Sequence, residues 1–329
     1  CQGAEFGSNP GGNFETPRWN SNNVYPPIFY ATMGLFASSH IIASVQLMRF
    51  FNIALFLALT ALTFLLLPSA LRRPLLVTYL ITMVPLGMSL IPSTNPSSWS
   101  IAAAGNLLFA MLGFFRTQHR RRVGLAALAA LCVIIGAGSR ADFGVFAVVI
   151  SAAAVLISWQ AIRLRLRLLI LPGIISAAGL VVFFLSGQST AASEGLAESS
   201  MGTTSEHLGL ASLIFGNILQ APSLWVGVFG SWGLGWLDTQ MPTIVWVAAA
   251  GTFVAVGFTA LGSASARRVL AFFVVLVALW LIPVYVLVKS HALVGAYVQP
   301  RYVLPLIIVV GGVLLSGVST MSSLLTRVQ

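Results

Sequence analysis

The stretch VLAFFVVLVALWLIPVYVLV at residues 269–288 decides the class of fold. It runs without a charge between Arg267-Arg268 and Lys289. A helix that crosses a hydrocarbon core about 30 Å thick needs about 20 apolar residues, and this run has that length. The rest of the chain has the same character. Of its 329 residues, 58% are hydrophobic and 7% charged, whereas soluble domains carry about 25% charged residues. So few charges cannot clothe a water-facing surface of this size. That excludes an ordinary soluble enzyme, a disordered chain and a disulfide scaffold. The formal charge of +10 is read as topology marking rather than as a nucleic-acid footprint, and no nucleic-acid partner is expected. The expected fold is all-α, a polytopic transmembrane helix bundle whose first partner is the lipid bilayer.

Working outward from residues 269–288, nine apolar segments are expected, at 45–71, 74–91, 99–115, 123–138, 143–158, 168–186, 242–262, 269–288 and 303–322. The basic clusters are Arg72-Arg73, Arg116 with Arg120-Arg121-Arg122, Arg163/Arg165/Arg167, Arg267-Arg268 and Arg327. Counting crossings puts them all on one side, which the positive-inside rule makes cytoplasmic. All seven acidic residues, namely Glu5, Glu15, Asp142, Glu194, Glu198, Glu206 and Asp238, fall on the other side. The organisation expected is an outer region over 1–43, six spans over 44–186, a large outer loop over 187–241 and three spans over 242–329. The N-terminus is then outside and the C-terminus cytoplasmic. An outer N-terminus without a signal-peptide pattern implies a preceding span.

Within the outer region, Pro26-Pro27 opens an apolar stretch too short to span. Proline is well placed at a helix start, so residues 27–40 are expected as an interfacial helix. The large outer loop is expected as a polar first part, then a short interfacial helix and a packed segment from Leu208 to Asp238. Segments 123–138 and 143–158 are short for spans, which predicts that the turn around Arg140 sits below the outer surface. Cys1 and Cys132 show no metal or redox spacing, and Cys132 lies in an apolar run.

No nucleotide-binding loop, nucleophile elbow or zinc-protease motif is present. The ionisable residues that can carry chemistry gather at the outer face. Arg301 opens the last apolar segment, where a guanidinium can grip a phosphate bidentately or serve as a snorkelling anchor. Lys289 and His291 precede it in the same loop and can add phosphate contacts. Asp238 ends a Gly/Trp-rich stretch that includes Trp236. There a carboxylate can act as base or helix cap, and a Trp face can stack on a sugar or belong to the interfacial belt. Arg49 begins the first span at the outer surface. Arg140 and Asp142, flanking Ala141, can pair in their turn as a local structural or a catalytic couple. No cofactor is called for, and the sequence leaves a divalent metal open.

These residues carry a resemblance. Tyr25-Pro26-Pro27-Ile28-Phe29-Tyr30, Arg49 opening a span, and Pro92-Ser93-Thr94-Asn95-Pro96-Ser97-Ser98-Trp99 are shared with bacterial membrane proteins grouped as domain of unknown function 2142. So are Gly233-Leu234-Gly235-Trp236-Leu237-Asp238 with Pro242, and Gln299-Pro300-Arg301-Tyr302-Val303-Leu304-Pro305. That family in turn resembles the GT-C glycosyltransferases. The resemblance implies a GT-C-like bundle in the bacterial cytoplasmic membrane, a polyprenyl-phosphate-linked sugar as donor and a cell-envelope glycan as acceptor. It also implies an acidic catalyst just after a first span, upstream of Cys1. Arg301, His291, Lys289, Arg49, Trp236 and Asp238 are then the substrate-binding candidates, with Asp238 also a candidate catalyst. The alternative is a non-catalytic transporter of lipid-linked glycan or an envelope assembly protein.

Overall fold

The computed structural model describes residues 25–189, 209–234, 239–296 and 298–317. Helices follow the apolar runs because a backbone in lipid must satisfy its own polar groups. Among the described residues they are α1 (Pro27–Gly34), α2 (Ile41–Leu66), α3 (Ser69–Thr82), α4 (Leu86–Leu90), α5 (Ser97–Arg116) and α6 (His119–Ser139). Then come α7 (Phe143–Ile162), α8 (Ile170–Leu185), α9 (Leu210–Val226), α10 (Thr243–Leu261), α11 (Ala266–Lys289) and α12 (Pro300–Leu315). A 3-10 turn over Leu166–Leu169 leads into α8. Among the described residues eight helical stretches are long and apolar enough to cross a membrane, so the chain is a polytopic helical membrane protein.

Two helices form the centre. All of the most apolar window of α5 is buried inside the protein, and α12 is buried from Val303 to Leu315. Small residues let the two approach: a Cβ on Gly105 would meet Ile308, and one on Gly312 would meet Leu108. Lipid is as apolar as leucine, so close packing of this kind, rather than escape from water, holds such helices together.

Four features bear on the sequence expectation. First, α6 and α7 have 21 and 20 residues, about 30 Å each at 1.5 Å per residue, and are not short. His119 and the three arginines after it are helical, because a backbone hydrogen-bond ladder continues past the point where hydropathy falls.

Second, the expected span at 74–91 is divided. Pro85 lacks an N–H and disfavours helix at Val84 before it, so α3 stops at Thr82 and α4 restarts at Leu86.

Third, the expected span at 303–322 holds α12 over Pro300–Leu315, and its part beyond Gly317 lies outside the described residues.

Fourth, the expected outer loop contains α9, which a π-helical turn extends to Ser231 over 22 residues. Pro222 breaks its hydropathy pattern and removes the donor that would bond the carbonyl of Ile218. The Nε1 of Trp280 donates to that carbonyl instead, at 2.9 Å. Trp280 also meets Trp225 edge-on with ring centres 4.8 Å apart.

The contacts of α9 keep it at one end of the bundle. Asn217 donates to Ala292 and accepts from Val294, in the loop that follows α11, while a Cβ on Gly227 would meet Pro300 at the start of α12. The chain thus returns to the end it left. Gly230, at φ 106°, turns it back. Even a Cβ there would press on Pro85, so the irregular turn after α9 packs on the break between α3 and α4.

α1 spans only eight residues and cannot cross. It buries Phe29 and Met33 and caps the end of α6, where Ile28 fits over Gly138. Phe29 meets Trp99 edge-on with ring centres 5.2 Å apart. Trp99 in turn donates to Asn52 at 2.8 Å, and Asn52 donates to the Ser93 carbonyl at 2.7 Å.

Candidate functional site

The site grows from the turn between α6 and α7. Gly144 lies against Gly179, backbone to backbone, yet α8 continues for six more residues to Leu185. The turn at Asp142, two residues before Gly144, is therefore sunk about 6 Å below the end of its neighbour, at 1.5 Å per residue. Arg140 and Asp142 occupy this sunken turn, and their pairing is now geometric. The Nε of Arg140 donates to the two carboxylate oxygens at 3.0 and 3.2 Å, and its Nη2 donates to Oδ2. The backbone N–H of Asp142 donates to the side-chain oxygen of Gln188, beyond α8, at 2.8 Å. Asp142 is the sole carboxylate among the described residues.

Aromatic faces hold the guanidinium of Arg140 on two sides. It lies 4.3 Å from the ring centre of Tyr302 and 5.8 Å from that of Tyr25, distances at which a cation is attracted to the ring. The guanidinium of Arg301 is 5.2 Å from the ring centre of Tyr302 and donates to the Tyr302 hydroxyl at 3.2 Å. Burial alone would weaken the charge on Arg140. The Asp142 carboxylate and its hydrogen bonds outweigh that, so Arg140 is held above the usual arginine range. Burial, partly countered by Arg140, pushes the Tyr25 phenol upward, so it stays protonated at neutral pH.

This cluster forms the polar end of a cavity of about 490 Å³, within the roughly 300–1,000 Å³ usual for small-ligand sites. Tyr25, Arg140, Asp142, Gln188 and Tyr302 line that end. The remaining wall is largely apolar: Val145 and Phe146 of α7, Phe183 of α8, Leu281, Ile282, Pro283, Tyr285 and Val286 of α11, and Val298, Val303 and Leu306 at α12. The chamber is thus amphipathic, with one charged end and a greasy body.

The residues expected from sequence are placed unevenly. Arg301 stands beside the cavity, behind Tyr302. Arg49, Lys289 and His291 are exposed and do not line it. Trp236 and Asp238 lie outside the described residues. Tyr25, Gln188 and Tyr302 carry the site without having been singled out by chemistry. Their only signal in sequence is that Tyr25 and Tyr302 sit in two of the quoted motifs, and these motifs converge on Arg140. Among the described residues no three His, Cys, Asp or Glu side chains gather as metal ligands do.

The architecture and the cavity define a multi-pass helical membrane protein with an amphipathic site at one end of its bundle. The chain belongs to the family described as "Predicted membrane protein (DUF2142)", whose profile matches residues 1–310. No curated protein and no solved structure matches it.

Proposed function

We propose that the protein is a membrane-embedded, GT-C-like glycosyltransferase of the bacterial cytoplasmic membrane, with its C-terminus cytoplasmic. It would take sugar from a polyprenyl-phosphate donor for cell-envelope glycan synthesis. The observation that carries this reading is the amphipathic cavity, which offers a guanidinium at one end and an apolar body of lipid-like character. In such a transfer the bond between sugar C1 and phosphate oxygen breaks, and an acceptor hydroxyl forms the new bond to C1. The acceptor proton passes to a carboxylate, and fixed cationic donors stabilise the departing phosphate. Arg301 is assigned to the phosphate, supported by Lys289, His291 and Arg49 at the outer rim. Trp236 and Asp238 are assigned to the sugar side. Asp238 is the candidate catalytic base within this chain. The test is sugar transfer by the full-length protein in liposomes supplied with polyprenyl-phosphate-linked sugars. Transfer to a glycan acceptor supports the reading, and its absence across donors overturns it.

One observation favours a non-catalytic reading, that of a transporter or assembly partner for lipid-linked glycan. Asp142 is committed to Arg140 through three hydrogen bonds, which suits it to hold that arginine rather than to accept a proton. Movement of a lipid-linked glycan across the bilayer without transfer would decide for this alternative.

A further inference from the structure

We infer that the loop from Arg163 to Arg167, between α7 and α8, is a docking surface for anionic phospholipid. Its three guanidiniums take head-group phosphates, and its two leucines meet the tops of the tails. The loop is at the opposite end of the bundle from the Arg140 cavity and involves no sugar chemistry.

The depth of the loop comes from α7. That helix starts beside the Arg140 turn and runs 20 residues to Ile162, about 30 Å at 1.5 Å per residue. The loop therefore lies at the far face of the bilayer, the cytoplasmic one by the positive-inside rule. Trp159 is exposed on α7 one turn before Arg163. An exposed Trp there belongs to the interfacial belt, which sits at head-group level. Arg163 to Arg167 are thus at the depth of the phosphates.

The loop is built, not loose. Ile162 and Leu168 are buried on either side of it. The N–H of Arg165 donates to the carbonyl of Ile162 at 2.7 Å, and the N–H of Leu168 donates to that of Arg165 at 2.9 Å. These bonds close two short turns, so the residues between the anchors project as a fixed unit. Arg163, Leu164, Arg165, Leu166 and Arg167 are all exposed, Leu164 at 79% and Leu166 at 61%. Marking topology needs only charge. Leucines fixed between arginines suit the boundary of head groups and tails, where both find partners, and a surface set before the lipid arrives loses less entropy on binding.

The test is lipid binding by the full-length protein in neutral detergent, read by native mass spectrometry during titration with phosphatidylglycerol, phosphatidylcholine or inorganic phosphate. Four variants are compared with the parent. Arg163→Gln/Arg165→Gln/Arg167→Gln removes the charge of the loop, and the corresponding triple change to Lys keeps it. Arg73→Gln/Arg120→Gln/Arg121→Gln removes the same charge from exposed arginines elsewhere at that end. Leu164→Ser/Leu166→Ser keeps the charge and removes the leucines. The parent should prefer phosphatidylglycerol to phosphatidylcholine by about tenfold or more, and the loop Gln variant should lose that preference at about fivefold per arginine, the factor set by about 1 kcal/mol per basic residue at an anionic surface. The Lys variant and the Arg73/Arg120/Arg121 variant should bind like the parent. The leucine variant should bind both lipids more weakly. Equal affinity of the parent for the two lipids, or an undiminished preference in the loop Gln variant, would overturn the surface. An equal loss in the Arg73/Arg120/Arg121 variant would assign the effect to the field of the whole end and overturn the loop. Inorganic phosphate binding as tightly as phosphatidylglycerol would overturn a lipid partner, and an unchanged leucine variant would overturn the contact with the tails.

Discussion

The guanidinium of Arg140 stacks on the ring of Tyr302 at 4.3 Å, which joins the sunken α6–α7 turn to the first turn of α12. Arg301 approaches the same ring, so one tyrosine separates two cations. Tyr302→Leu removes the aromatic face from both. It is expected to lower stability by about 1–2 kcal/mol, in the range of partly desolvated cation–π contacts, whereas Tyr302→Phe keeps the face and should cost less. Thermal unfolding of the two variants in one detergent gives the comparison, and equal losses would show that the hydroxyl matters more than the ring.

Asp142→Asn leaves the Arg140 charge without its counter-ion. Breaking a buried pair in this way costs about 3–5 kcal/mol. The Asp142 side chain is 26% exposed, so the lower end, about 3 kcal/mol, is expected. Replacing both residues with apolar ones should recover most of it. A single variant with an unchanged melting temperature would mean that the pair does not hold the turn.

Gly144→Ala should loosen the cavity wall. Its new Cβ would collide with the backbone carbonyl of Gly179, and backbone cannot rotate away as a side chain can. Over-packing of this sort costs about 1–3 kcal/mol. It would also push Val145 and Phe146 away from Phe183. The check is a lower unfolding temperature, with the same substitution at Gly173, where a Cβ meets nothing within 4 Å, as the neutral control.

Stability should fall in alkaline solution through Tyr25. Burial raises its phenol above the ordinary value of 10.0. Below about pH 10 both folded and unfolded chains keep that proton, and its contribution is whole. As pH climbs past the ordinary value the unfolded chain loses the proton first, so the contribution declines until the folded phenol also ionises. Unfolding temperatures at about pH 8 and about pH 11 should differ less in Tyr25→Phe than in the parent, and equal slopes would discard the assignment.

The path of α9 has a labelling signature. Cysteines placed at Gly209 and His291, in a background without Cys1 and Cys132, should react from the same side of the membrane. One at Ser263 should react from the other. If the Gly209 and Ser263 positions label together, α9 crosses the bilayer and the count of crossings changes.

What the sequence by itself determined is the class of protein and the position of most helices. The absence of charge over residues 269–288 and the other long runs is enough, because lipid accepts no unsatisfied backbone and few charges. Pro26-Pro27 likewise marked the start of α1. Hydropathy did not foresee the full length of α9, because Asn217 and Pro222 interrupt its pattern. Their polar needs are met by the loop after α11 and by Trp280, partners remote in sequence. Nor did it separate a local Arg140–Asp142 pair from one that builds a site. A spacing of two residues permits the pair, but only the approach of Tyr25, Gln188 and Tyr302 from three other parts of the chain makes a cavity of it. Those contacts depend on how helices pack, and packing in lipid is decided by side-chain shape across distant segments rather than by the local apolar pattern.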